Sequence, residues 1–210
     1  MSEKKYVVTV ARQYGSGGRL IGKALAESLG IAFYDKELIT LAAKKNGMNE
    51  KIFESVDERP TNSLLYSLAM GAYGMDGSYS YWGDISMPLN DKVFQLQADL
   101  IAELAEKHSC VIVGRCADYV LRNRKDVANI FLFADFDYRV QRAIKEYNVS
   151  PDKAADIVKK TDKKRASYYN FHTNRTWGDT DTYGISLNTG ILGPDKSVEV
   201  LKNYIETLFG

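Results

Sequence analysis

The chain is poor in the residues that would mark several common protein classes. Its 210 residues include only two cysteines and two histidines, which argues against a disulfide framework or a Cys/His metal site. We therefore expect Cys110 and Cys116 to be reduced thiols, and His108 and His172 to be structural side chains. The 28 basic and 27 acidic residues nearly cancel, which argues against a general nucleic-acid-binding protein.

Long apolar runs are also missing. No stretch approaches the roughly 18 apolar residues of a membrane span, and the charged N-terminus is not followed by a signal-peptide core. What remains is ordinary for a globular protein, with 45% apolar and 26% charged residues. The length fits one domain over 1–210, which we expect to be cytoplasmic, without a membrane or nucleic-acid partner.

Short apolar, β-branched segments alternate with segments of helical periodicity along most of the chain. This alternation predicts a three-layer α/β domain with a mostly parallel sheet of about five strands. The predicted strands are 6–11, 31–34, 110–113, 127–134 and 185–188. The predicted helices are 20–29, 35–45, 90–107, 136–147, 150–170 and 195–208.

One segment, 59–88, has no clear periodicity and is rich in Gly, Ser and aromatic residues over 66–82. We interpret it as an insertion or flap. Three purposes stay open for its Tyr/Trp-rich part: stacking on a base, a homodimer contact, or ordinary loop packing.

A glycine cluster follows the first predicted strand. Gly15, Ser16, Gly17 and Gly18 lie where a buried strand passes into a helix. Glycines there permit positive φ, and backbone N–H groups at a helix N-terminus favour phosphate. The cluster predicts a phosphate-binding loop, although a tight turn without a ligand is an alternative.

Two nucleotide-binding motifs compete for this loop. The dinucleotide fingerprint Gly-x-Gly-x-x-Gly is matched by Gly15 and Gly17, but its third glycine is replaced by Leu20. Asp35, at the end of the second predicted strand, suits the ribose-binding acid of that motif.

The phosphate-binding loop of nucleotide kinases, Gly-x-x-x-x-Gly-Lys-Ser/Thr, matches imperfectly too. Gly18 and Arg19 stand at its Gly-Lys pair, while Gln13 replaces the first glycine and Leu20 the hydroxyl residue. The loop alone therefore indicates phosphate without deciding the class.

A local excess of positive charge favours phosphoryl transfer over hydride transfer. Segment 136–175 holds ten basic residues against five acidic ones, and it includes Arg139, Arg142 and Arg165. Arginines and lysines stabilise the charge of a transferring phosphoryl group. Arg115 follows another buried strand, at the sheet edge where ligands bind in open α/β folds, and an arginine can grip phosphate with two parallel donors.

The residues resemble those of the nucleoside monophosphate kinases, and most closely the cytidylate kinase-like branch. The resemblance covers nearly the whole chain. The segments that carry it are 15–30, 33–38, 90–92, 111–118, 168–169 and 177–179. It implies a P-loop kinase-like fold with a helical lid at about 136–182, and ATP and Mg²⁺ as the donor and its metal, without a protein-held metal site.

The resemblance also implies roles for individual residues. Residues 15–19 would bind the phosphates of ATP, with Arg19 replacing the missing lysine. Arg139, Arg142 and Arg165 would act with Arg19 in catalysis, as lid arginines. Asp35, Arg115, Asp162 and Arg165 would bind the acceptor. Four residues before Asp162 the family has an arginine, but this chain has Val158, so base selectivity stays open.

The function predicted from these observations is ATP-dependent phosphoryl transfer to a nucleoside monophosphate similar to CMP or dCMP. Another small phosphate acceptor is an alternative within the same class. A nucleotide-binding regulatory protein without turnover is an alternative from a different class, motivated by the missing Lys-Ser/Thr pair. A dinucleotide oxidoreductase is the third alternative.

Overall fold

A computed structural model describes residues 5–35, 37–47 and 89–210 of the chain. The segment 59–88, which we interpret as an insertion or flap, lies outside the described residues.

The core of the described structure is a five-stranded parallel sheet with the strand order β2-β3-β1-β4-β5. The five predicted strands are confirmed, and every pairing between them is parallel. Short β-branched runs form these strands because both faces of the sheet are covered by helices. The strands are β1 (Val7–Arg12), β2 (Ala32–Tyr34), β3 (Cys110–Val113), β4 (Val127–Phe133) and β5 (Ile185–Asn188).

Helices follow the strands and cover both faces of the sheet. Their bounds are α1 (Gly18–Leu29), α2 (Glu37–Lys45), α3 (Leu89–Lys107), α4 (Ala117–Val120), α5 (Phe136–Tyr147), α6 (Pro151–Thr173) and α7 (Thr189–Phe209), with a 3₁₀ turn at Thr180–Thr182 before β5. Within the described ranges, no helix is both long enough and apolar enough to cross a membrane.

Alternate residues of the central strands pack into two separate cores. In β3, Cys110 and Ile112 face α2 and α3, whereas Val111 and Val113 face α1 and α7. All four side chains are fully buried. The sheet therefore has helices on both faces, which confirms the three-layer α/β prediction.

The last helix begins earlier than its periodicity predicts. It begins at Thr189 rather than at 195, because the Asn188 side chain accepts a hydrogen bond from the N–H of Gly190 and so caps its first turn. A kink at Gly193, with φ of 73°, and the following Pro194 interrupt the helix. Because Gly193 and Pro194 are typical of a helix boundary, the sequence alone predicts that the helix begins after them.

The parallel arrangement brings the carboxyl ends of the strands to one edge of the sheet. The residues that follow β1, β2 and β3 therefore meet there, although they are far apart in the sequence.

Candidate functional site

The glycine loop after β1 has the backbone that its sequence predicts. Gly15 and Gly17 both have positive φ, 83° and 84°. Gly17 is the N-cap of α1, and within the described part of the chain this cap makes no side-chain hydrogen bond. The helix N-terminus therefore ends in bare backbone, an arrangement that favours an anion.

Arg139 and Asp162 hold this loop from behind. The guanidinium of Arg139 donates to the carbonyl of Tyr14 (3.2 Å) and forms an ion pair with Asp162. The Asp162 carboxylate accepts a hydrogen bond from the Tyr14 N–H, at 2.7 Å. A side chain at Gly15 would collide with the Arg139 backbone, since its Cβ would lie 2.5 Å from the carbonyl oxygen. Helices α5 and α6 are thus tied to the loop through two charged residues.

The front of the loop is fixed by neutral hydrogen bonds. The hydroxyl of Ser16 donates to the Gln13 carbonyl at 2.9 Å. The hydroxyl of Thr189, the first residue of α7, lies 2.7 Å from the Ser16 carbonyl oxygen and donates to it. These hydrogen bonds tie the loop to residue 13 on one side and to the start of α7 on the other.

A second left-handed turn follows β3, beside the glycine loop. Gly114, Arg115 and Cys116 all have positive φ, of 76°, 56° and 53°. Two consecutive non-glycine residues in this region are strained, and such strain persists where the surrounding structure enforces it. Arg115 is 5% exposed despite its charge, so the turn holds a largely buried guanidinium at the edge of the sheet.

Between the two turns lies a cleft of about 360 Å³, within the usual size range of small-molecule sites. Among the residues that the structure describes, four arginines line it, together with Asp35 and the aromatic side chains of Tyr14 and Tyr147. The arginines are Arg12, Arg19, Arg115 and Arg165. In a chain of net charge +1, this concentration of cations indicates an anionic ligand.

Arg19 and Asp35 face each other across the mouth of the cleft. Nε of Arg19 lies 3.0 Å from a carboxylate oxygen of Asp35, and the side chain also approaches Glu37 at 3.7 Å. Arg19 is 58% exposed whereas Asp35 is almost buried. A carboxylate oxygen is a suitable ligand for Mg²⁺. Across the described ranges, no three His, Cys, Asp or Glu side chains are grouped to hold a metal ion.

The two remaining predicted arginines also lie at the loop. The guanidinium of Arg142 lies close to Gly17, 3.3 Å from the position that a Cβ would take there. Arg165 donates to the backbone carbonyl of Arg12 at 3.1 Å and lies over the ring of Tyr14. The structure thus brings the predicted site residues to the glycine loop or to the cleft beside it. Arg139, Arg142 and Asp162 contact the loop without lining the cleft.

A smaller cavity of about 20 Å³ lies next to the cleft and shares Arg12, Arg115 and Arg165 with it. Its wall includes Asp118, which is 4% exposed and accepts a hydrogen bond from the Tyr169 hydroxyl at 2.6 Å. Burial raises the pKa of the Asp118 carboxyl, and the hydrogen bond from Tyr169 partly opposes this rise. The volume suffices for about one water molecule.

The sequence reasoning missed two residues of this site. Arg12 lines both cavities. It is the last residue of β1 and lies before the glycine cluster, so the cluster alone does not point to it. Asp118 belongs to α4, and the left-handed turn at residues 114–116 places this helix next to the smaller cavity. The position of Arg12 directly after the predicted apolar strand 6–11 is a signal that could have identified it.

The fold of the chain is P-loop kinase-like. It is similar in structure to the shikimate kinase of Bacteroides thetaiotaomicron (TM-score 0.52, 16% identity, covering 96% of this chain and 98% of that one). The shikimate kinase of Aquifex aeolicus vf5 is similar to the same degree (TM-score 0.50, 17% identity, 96% of each chain). At these identities the likeness concerns the fold alone.

Residues 7–191 match the cytidylate kinase-like family, and the chain belongs to it. An uncharacterized protein from Eubacterium ventriosum ATCC 27560 is similar over 97% of this chain and 99% of its own, with a TM-score of 0.71 and 27% identity. No curated protein matches the chain.

The loop geometry predicts a local effect of removing Asp162. In Asp162→Ala the Tyr14 N–H and the Arg139 guanidinium both lose a charged partner. We expect a loss of about 1–3 kcal/mol in the free energy of unfolding, the usual worth of such hydrogen bonds. Urea unfolding measures this loss, and amide exchange at Tyr14 should become faster.

Asp156→Ala is the matched control, because Asp156 is exposed on the same helix. It should change neither quantity appreciably. Unaltered exchange at Tyr14 in a folded Asp162→Ala protein would show that the ion pair does not hold the loop.

Proposed function

We propose that the protein is an ATP-dependent kinase that transfers the γ-phosphoryl group to a nucleoside monophosphate, with CMP or dCMP as the acceptor. The observation that carries the proposal is the convergence of a glycine loop and four arginines on one cleft. Membership of the cytidylate kinase-like family supports the same class of reaction.

The donor's phosphates are proposed to lie on residues 15–18. The positive φ angles of Gly15 and Gly17 and the uncapped start of α1 suit a chain of negatively charged oxygens. Arg19 lies at the mouth of the same cleft, and we propose that it contacts the terminal phosphate from there. Mg²⁺ would arrive with the triphosphate and neutralise part of its charge, and Asp35 is the carboxylate that lines this cleft.

The acceptor is proposed to bind on the β2 and β3 side of the cleft. Arg115 would grip its phosphate, because a largely buried guanidinium offers two parallel donors at a fixed orientation. Asp35 is proposed to bind the sugar or phosphate region of the acceptor. Asp162 and Arg165 stay proposed contacts of the acceptor as well, in addition to their observed contacts with the backbone of the loop.

The chemistry needs little beyond alignment and charge stabilisation. An oxygen of the acceptor phosphate forms a bond to the γ-phosphorus, the bond from that phosphorus to the β,γ-bridging oxygen breaks, and ADP leaves. Arg19, Arg139, Arg142 and Arg165 are the proposed catalytic cations. Residues 136–182 are proposed to act as a lid that brings Arg139, Arg142 and Arg165 to the phosphates and excludes water.

The direct test is an assay of ADP formation from ATP and Mg²⁺ with a panel of monophosphates: CMP, dCMP, UMP, AMP and GMP. We expect ADP to form in proportion to CMP or dCMP added, with CDP or dCDP as the second product. Formation with a different acceptor would replace the proposed substrate. Absence of ADP with every acceptor, from a protein that binds ATP, would contradict the kinase proposal.

A second candidate function is nucleotide binding without turnover. It is favoured by the loop itself, since the Ser16 hydroxyl donates within the loop. Leu20, which is at the hydroxyl position when Gly18 and Arg19 are taken as the Gly-Lys pair, is 52% exposed. A kinase of another small phosphate acceptor is an alternative within the leading class. The expected partners are nucleotides, while a homodimer contact and a cytoplasmic location stay predictions.

The placement of Arg115 predicts which kinetic constant its removal changes. Loss of a buried bidentate contact costs about 2–5 kcal/mol, so Arg115→Ala should raise the KM for the acceptor by about 30-fold or more. The KM for ATP should change little, because the donor is proposed to lie on the glycine loop.

Steady-state kinetics with each substrate varied in turn measure both constants. Arg122→Ala is a suitable control, since Arg122 is exposed and hydrogen-bonded to a local carbonyl. Equal increases in the two KM values would show that Arg115 supports the whole site rather than the acceptor.

A further inference from the structure

The sequence of the loop can be aligned with the phosphate-binding motif in a second register, which begins at Arg12. Gly17 is the last loop residue with positive φ, and α1 begins at Gly18. If Gly17 is the final glycine of Gly-x-x-x-x-Gly-Lys-Ser/Thr, the first glycine falls on Arg12 and the lysine falls on Gly18. In this register the glycine and the cation of the motif have exchanged positions.

The packing agrees with such an exchange. A Cβ at Gly18 would lie 2.6 Å from the Cβ of Arg12 and 2.7 Å from its Cγ. The Arg12 stem therefore occupies the space in which the first helical side chain would begin. Arg12 and a lysine at position 18 cannot both fit there without a shift of the backbone.

A second glycine makes room for the far end of the same side chain. The guanidinium of Arg12 lies against Gly114, where an added Cβ would overlap Nη1 and come within 3.0 Å of Cζ. Arg12 thus extends from the base of the glycine loop to the turn that carries Arg115. It lines both cavities of the site, so its side chain borders both the proposed donor side and the proposed acceptor side.

We propose that Arg12 is the phosphate-binding cation that replaces the lysine of the loop, contacting the donor's terminal phosphates from β1. The inference rests on the proposed function, because it assigns a residue to the binding of ATP. It adds to the proposed role of Arg19, whose side chain is largely exposed, whereas Arg12 is half-buried at the end of β1.

The test is ATP binding by isothermal titration calorimetry, together with kcat, in a set of Arg12 and Gly18 variants. Arg12→Met keeps the stem that fills the space over Gly18 and removes the charge. We expect it to weaken ATP binding by at least tenfold, and Arg12→Lys to remain within a few-fold of wild type. Arg122→Met, at an exposed site, is the matched control and should bind ATP like the wild type.

A charge relocation distinguishes phosphate binding from a structural role. Arg12→Gly should lose ATP affinity, and adding Gly18→Lys to it should recover most of that affinity, because the double variant restores the common order of glycine and cation. Gly18→Lys alone should destabilise the loop by its clash with Arg12. Thermal midpoints identify the variants that remain folded.

The outcomes separate the inference from the function beneath it. A wild-type protein that binds no ATP would overturn the proposed function and this inference together. A wild type that binds ATP, with a folded Arg12→Met that binds it equally well, would overturn the inference alone. Failure of Gly18→Lys to recover any affinity in a folded double variant would also overturn it.

Discussion

The ion pair between Arg139 and Asp162 is the interaction on which the arrangement of the site depends. Both partners bind the backbone of Tyr14, one at its carbonyl and the other at its N–H. The glycines of the loop have no side chains to fix their left-handed conformation, so much of the loop's shape is imposed by its neighbours. Helices α5 and α6 supply that support through one pair of charged residues.

A nearly neutral protein gathers several cations in one place because arginines from different elements meet at the cleft. Arg115 follows β3, whereas Arg165 belongs to α6, and both line the cleft. Like charges held close together repel one another, and a bound polyanion would relieve this repulsion. The acidic partner within the cleft, Asp35, balances only part of this charge.

The sequence predicted the fold in more detail than the site. Runs of β-branched residues gave the five strands, because burial on both faces leaves a local signature. The start of α7 was missed because Gly193 and Pro194 interrupt its periodicity. The glycine loop is also predictable locally, because a cluster of glycines between a strand and a helix is a signal within a few residues. The contact between Arg12 and Gly18 depends on how β1 and α1 pack, and no local pattern encodes it.

The central claim is that residues 15–18 bind the phosphates of a nucleotide, and backbone amide NMR tests it most directly. On titration with Mg²⁺ and ATP, the amide resonances of these four residues should shift together and saturate. The resonances of Val7 and Cys110, at the opposite edge of the sheet, should stay in place. Saturable shifts that appear elsewhere in the chain, with those of residues 15–18 unchanged, would contradict the claim.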